Sequence, residues 1–208
     1  MLYKEVLHVL LAILVMGLAV SISTLTPDIL IKSFIFFLII FIVNIFAKKL
    51  TAYYLECSVE TKIWHVQRYW FRDSNHLKYP IATGIIFPLL ISVLSLGTFY
   101  WLATTQSEIS ARRARVARRH DFYSYSELTE YHVGIIPAAG IFAVIVLAFF
   151  AYLINEPELG KLAIFFACFN MLPLGQLDGS KVFFGSVRLW FVLAAVCLIA
   201  LGYAVFLI

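Results

Sequence analysis

Charge is what this sequence has least of. Asp, Glu, Lys and Arg make up 13% of its 208 residues against 62% hydrophobic ones, and the mean hydropathy is +0.93. Soluble domains carry roughly 25% charged residues, so a soluble globular chain is excluded. The formal net charge of +4 is modest and says more about membrane orientation than about nucleic acid, which is not expected as a partner. Cysteine is also scarce. Cys57, Cys168 and Cys197 are odd in number and far apart, and two fall in apolar stretches; they read as small core residues, not a disulfide framework or a metal cluster. The five histidines, His8, His65, His76, His120 and His132, include no pair at ligand spacing. No repeat, low-complexity tract or long linker divides the chain, which reads as one domain over 1–208. The first apolar run lacks an Ala-x-Ala cleavage site, so it reads as a permanent helix and not a signal peptide.

Long hydrophobic runs are abundant. They cover about Val6–Leu25, Ile29–Leu50, Ile81–Ala103, Val133–Ile154, a stretch opening at Leu159, and Leu189 to the end. A spanning helix needs about 20 apolar residues. The sequence therefore predicts an all-α polytopic membrane protein of five or six transmembrane segments, multi-pass in the cell membrane, with the lipid bilayer as its first partner. Phenylalanines from Phe34 to Phe46, with Phe149 and Phe150, suit lipid-facing or interhelical packing. Between 51 and 80 the chain turns polar and aromatic. Cys57, Val59, Thr61 and Ile63 alternate with polar residues at a period of two, which suits a short strand. Trp64, Tyr69, Trp70 and Tyr79 read as aromatics at headgroup level.

Lysines and arginines from Lys49 to Lys78, and again from Arg112 to Arg119, place both loops in the cytoplasm by the positive-inside rule. The strand then lies on the cytoplasmic side, and residues 81–103 enter and leave by one face, bent near Pro88 or Gly97. A straight spanning helix with one basic loop outside is the other reading of the same segment. The arginine run reads as a solvated helix that also binds anionic headgroups.

The stretch Phe169–Gly179, FNMLPLGQLDG, puts Asp178 at membrane depth. A carboxylate at the bilayer centre costs roughly 2.5–3.5 kcal/mol and calls for a partner or a task. The pattern Asn170-x-x-Pro173-x-x-x-x-Asp178-Gly179 resembles the signature of the site-2 protease family of intramembrane zinc metalloproteases, archaeal type. In that family this Asp is the third zinc ligand. The first two come from His-Glu-x-x-His on an earlier helix, and the Glu is the general base. The resemblance extends without a gap from that motif into the following strand, with Ala47, Lys49, Cys57, Glu60 and Trp64 on their counterparts. It implies a site-2-protease-like bundle.

The catalytic positions depart from the family pattern. Asn44 and Lys48 stand where the two histidines would be, and Ile45 stands where the Glu would be. Gly140 replaces an Asn that helps hold substrate backbone. Ile45 accepts no proton, Lys48 binds no divalent cation at neutral pH, and one Asp holds no zinc. The expectation is a pseudoprotease with no intact catalytic residue, no metal and no cofactor. Its groove, marked by Asn170, Pro173, Gly140 and Val59, would bind or stabilise a transmembrane segment of a partner protein. The alternatives are an active intramembrane zinc metalloprotease cleaving membrane proteins, for which zinc would be the cofactor, and a structural subunit of a membrane complex. Two readings of Lys48 stand side by side. Its ammonium replaces the zinc charge by pairing with Asp178, or it snorkels beside Lys49 while Asp178 caps the next helix.

Overall fold

The structure, a computed structural model, describes residues 2–22, 26–68, 76–112 and 128–206. Tyr69, Trp70, Arg72 and the arginines from Arg113 to Arg119 lie outside them, as does the side chain of Tyr79. The described chain runs α1 (Leu2–Ser21), α2 (Pro27–Tyr54), β1 (Cys57–Ile63), β2 (Val66–Arg68), β3 (His76–Ile81), α3 (Thr83–Leu94), β4 (Thr105–Ala111), α4 (Glu130–Leu153), α5 (Pro157–Met171), α6 (Asp178–Gly185) and α7 (Val187–Phe206). Four of these helices, α1, α2, α4 and α7, are long and apolar enough to cross a membrane. The fold is mainly helical, with two small antiparallel ribbons, β1–β4 and β2–β3.

Local chemistry sets the helix starts. Pro27 opens α2 and Pro157 opens α5, where the missing N–H is no loss. The Thr129 side chain caps α4 by accepting from the His132 N–H. The bundle closes around Phe37, Ile40 and Phe41 of α2, Ile141 and Val144 of α4, and Ala163, Phe166 and Ala167 of α5, all buried. Phe41 and Phe166 meet edge to face at 5.4 Å between centroids. Outward stand Leu10, Leu14, Ile35, Ile42, Phe149, Phe150, Phe191 and Ile199. Such an apolar exterior is a liability in water and the ordinary surface of a protein in lipid.

β1 and β4 pair antiparallel from Cys57↔Ala111 to Ile63↔Thr105. The segment between them must leave the ribbon and return to it, and it does so as a hairpin. The 12-residue α3 runs outward, and the chain turns at Leu96 and Gly97, both with positive φ (52° and 77°). Pro88 sits inside α3 without bending the chain back; the turn falls at Gly97, where a left-handed φ is free of a Cβ clash. The Ser92 hydroxyl donates to the Ala19 carbonyl, whereas Glu5 touches the ribbon. Fourteen residues of α1 separate these contacts, about 21 Å at the helical rise, so the hairpin runs deep along α1 and is no surface loop. A straight spanning helix over 81–103 is therefore replaced by an out-and-back segment.

Trp64 is not an interfacial side chain. It is 6% exposed and packs with Trp101, Ala103 and Leu177, with Phe87 edge-on at 6.2 Å. The hairpin folds back over the end of β1 and covers it.

Candidate functional site

α2, α4 and α6 bring four sequence-marked positions together at the ribbon end of the bundle, beside β4. Asn44 and Lys48 lie four residues apart on α2 and therefore share a face. Gly140 lies opposite on α4. Asp178 is the first residue of α6, whose N-cap is Leu177 with no side-chain cap, so the carboxylate is free to point into the bundle. Lys48 Nζ donates to Asp178 Oδ2 at 2.5 Å, with the side chains 2% and 1% exposed. Lys48 thus does not snorkel. Its neighbour Lys49 turns the other way and reaches Glu5 Oε2 at 2.9 Å.

Gly140 makes room for that lysine. A β-carbon there would meet Lys48 Cε at 2.6 Å, Lys48 Cγ at 2.8 Å and Asn44 Nδ2 at 3.0 Å. Gly179 has a parallel reason, because a β-carbon would lie 2.2 Å from the Met171 carbonyl oxygen. Around the ion pair, Asn44 Nδ2 and Asp178 Oδ1 are buried without hydrogen-bond partners. The Ser107 hydroxyl of β4 lies beside Asp178 but outside hydrogen-bond geometry.

The remaining marked residues are placed differently. Ile45 is half-buried and packs against the apolar core. Asn170 donates its amide to the Phe166 carbonyl at 2.8 Å, one turn back on its own helix, and its Oδ1 has no partner. Pro173 is exposed. Val59 is buried, in a cluster with Ala52, Cys57 and Ile136, and its side chain faces the helices. Cys168 and Cys197 are brought into contact, the thiol of the first donating to the carbonyl of the second at 3.3 Å, without a disulfide between them.

The donor set does not suit zinc. Its one carboxylate is bonded to an ammonium, and a carboxamide and a lysine occupy the other two positions. Among the described residues no three His, Cys, Asp or Glu side chains converge as a metal site.

The β1–β4 ribbon has two unlike edges. Trp64 N–H donates to Thr104 O at 2.8 Å and Arg112 N–H to Glu56 O at 3.2 Å. These extend the ladder at both ends and fix its phase. Even-numbered residues of β1 face β4 with their backbone groups, and odd-numbered ones face away. On the outer edge of β1, the Thr61 N–H donates to Glu5 Oε1 at 3.2 Å, so α1 occupies that edge. On β4, Ser107 and Ile109 aim their backbone groups away from β1, with no partner among the described residues; Ser107 is fully buried, so the accessible part of this edge is at Ile109. Beside them opens a cavity of about 480 Å³ lined by Glu108, Ile109, Ser110, Val133 and Lys181, with Glu60 and Lys62 on the ribbon. The hydrogen bond from Lys62 to Glu108 holds the Lys62 ammonium above the usual lysine range.

Sequence reasoning passed over three of these features. Glu5, ahead of the first apolar run, reads as a flanking charge. Residues 105–111 have no clean alternation. Lys181 falls outside every long apolar run, although its place three residues after Asp178 puts both on one helix face.

No protein-family model, curated protein or solved structure matches the chain.

Proposed function

We propose that this chain is a catalytically inactive relative of the site-2 proteases, a multi-pass protein of the cell membrane. It binds or stabilises a membrane-protein partner through the groove its ancestors used for substrate. The observation that carries the reading is the Lys48–Asp178 ion pair. Two helix positions where the resemblance calls for zinc ligands converge, but on an ammonium and not on a metal. The Nζ takes the place of the metal's charge and uses the carboxylate oxygen that a metal would need. Hydrolysis has no general base at that position, because Ile45 is apolar and packs against the hydrophobic core.

Binding survives the loss of chemistry because it uses different groups. The outer edge of β4 offers the backbone donor and acceptor of the half-buried Ile109 to an extended segment. That segment would unwind from a transmembrane helix at the cytoplasmic end of the bundle. The β1 edge near Val59 is not the docking strand in this reading, because Glu5 already occupies Thr61.

A synthetic peptide tests this directly. It carries a leucine-rich spanning helix that continues into alternating threonine and valine. Full-length protein in nanodiscs, with a photo-activatable phenylalanine analogue at Ser110, should crosslink to it. Ile109→Pro removes the outward N–H and is tolerated on an edge, and it should suppress the crosslink. Labelling of lipid alone, or labelling indifferent to Ile109→Pro, rules the groove out.

A further inference from the structure

Lys181 is the charge that this site leaves over. It stands half-buried on α6, one turn beyond Asp178. The charges acting on it are Asp178, Lys48 and Glu108. Both carboxylates are engaged elsewhere, Asp178 with Lys48 and Glu108 with Lys62. Glu60 lines the same cavity but acts on Lys62 and not on Lys181. Around Lys181 itself stand Asp178 and Glu108 against Lys48, and among the described residues Lys181 makes no ion pair. An ammonium drawn partly out of water without a partner is costly. Its place on the wall of the cavity beside the open edge of β4 means that whatever pairs with that edge passes within its reach.

We propose that Lys181 receives the side-chain carboxylate of an Asp or Glu on the extended segment that adds to the outer edge of β4. The partner is thus an acidic peptide segment next to a membrane helix. This inference rests on the peptide-binding reading above and adds its chemical selectivity. Backbone pairing along β4 is indifferent to sequence; Lys181 makes it selective, because a partner lacking the carboxylate leaves the ammonium unpaired.

The test uses three versions of the leucine-rich, threonine–valine probe, with Asp, Asn or Lys at one position of the extension. Their affinities are measured by fluorescence on full-length protein in nanodiscs. The Asp probe should bind about tenfold more tightly than the Asn probe. Lys181→Gln should erase that difference, and Lys181→Glu should transfer the preference to the Lys probe. The charge reversal guards against a variant that merely folds poorly, since a damaged protein does not gain a new preference. Equal binding of the Asp and Asn probes overturns the carboxylate proposal and leaves the groove standing. Binding of none of the three overturns the groove reading and the proposal with it.

Discussion

Gly140 lies so close under the Lys48 side chain that any β-carbon on α4 would stand 2.6 Å from Lys48 Cε. The two positions are coupled through volume, and that coupling is measurable. Gly140→Ala should destabilise the protein by about 1–3 kcal/mol, the usual cost of overpacking. Most of that cost should vanish in a Lys48→Ala background, where the stem of the lysine no longer crosses the glycine. Thermal unfolding in detergent of both single variants and the double variant reads the coupling. Additive costs would mean that Lys48 does not lie over Gly140.

Removing one partner of a buried ion pair leaves the other charge uncompensated, at about 3–5 kcal/mol. Lys48→Ala should therefore be severely destabilising. Adding Asp178→Asn should recover much of the loss by removing the orphaned charge. An unchanged unfolding temperature in Lys48→Ala would count against the pair as a buried structural lock between α2 and α6.

How much of this was legible in the sequence depended on the range of the interaction. The helices follow from apolar runs, which are local. The Lys48–Asp178 pair was foreseen as one of two readings, because residues four apart share a helix face and a membrane-depth Asp needs a partner. The return of the hairpin was readable from charge placement, but its bend was not assigned between Pro88 and Gly97. The structure tolerates the proline within α3 and turns at the residue free to take a positive φ. Trp64 was misread because an aromatic residue next to charges is the same signal whether it faces headgroups or is roofed by a hairpin arriving from forty residues downstream. Val59 marks β1 in the sequence, whereas the edge without a backbone partner among the described residues is that of β4. Whether the outer edge of β1 is covered depends on Glu5, more than fifty residues earlier, and no local pattern carries that.

Glu5 ties three elements together, accepting from Thr61 N–H in β1 and from Lys49 in α2. Glu5→Ala should free the outer edge of β1 and cost about 1–3 kcal/mol, in the range for a hydrogen bond to a charged group. Hydrogen exchange of a peptide covering residues 57–63 should accelerate at Thr61, while the ladder amides facing β4 keep their protection. Uniform acceleration across the ribbon would mean that the strand is held by something other than this carboxylate.

Zinc should be absent from the purified protein and recoverable by design. Asn44 and Lys48 share a face of α2 and converge with Asp178, so Asn44→His with Lys48→His supplies three ligands and leaves a fourth position open to water. Elemental analysis after mild washing should find close to no zinc in the native chain. It should find about one per chain in the double-histidine variant and none once Asp178→Ala is added. The pattern matters more than the first value, because only a site in which these three positions converge gains metal at two of them and loses it at the third. Zinc in the native chain would make Asp178 a ligand after all. It would require Lys48 to swing away from it and restore a proteolytic reading.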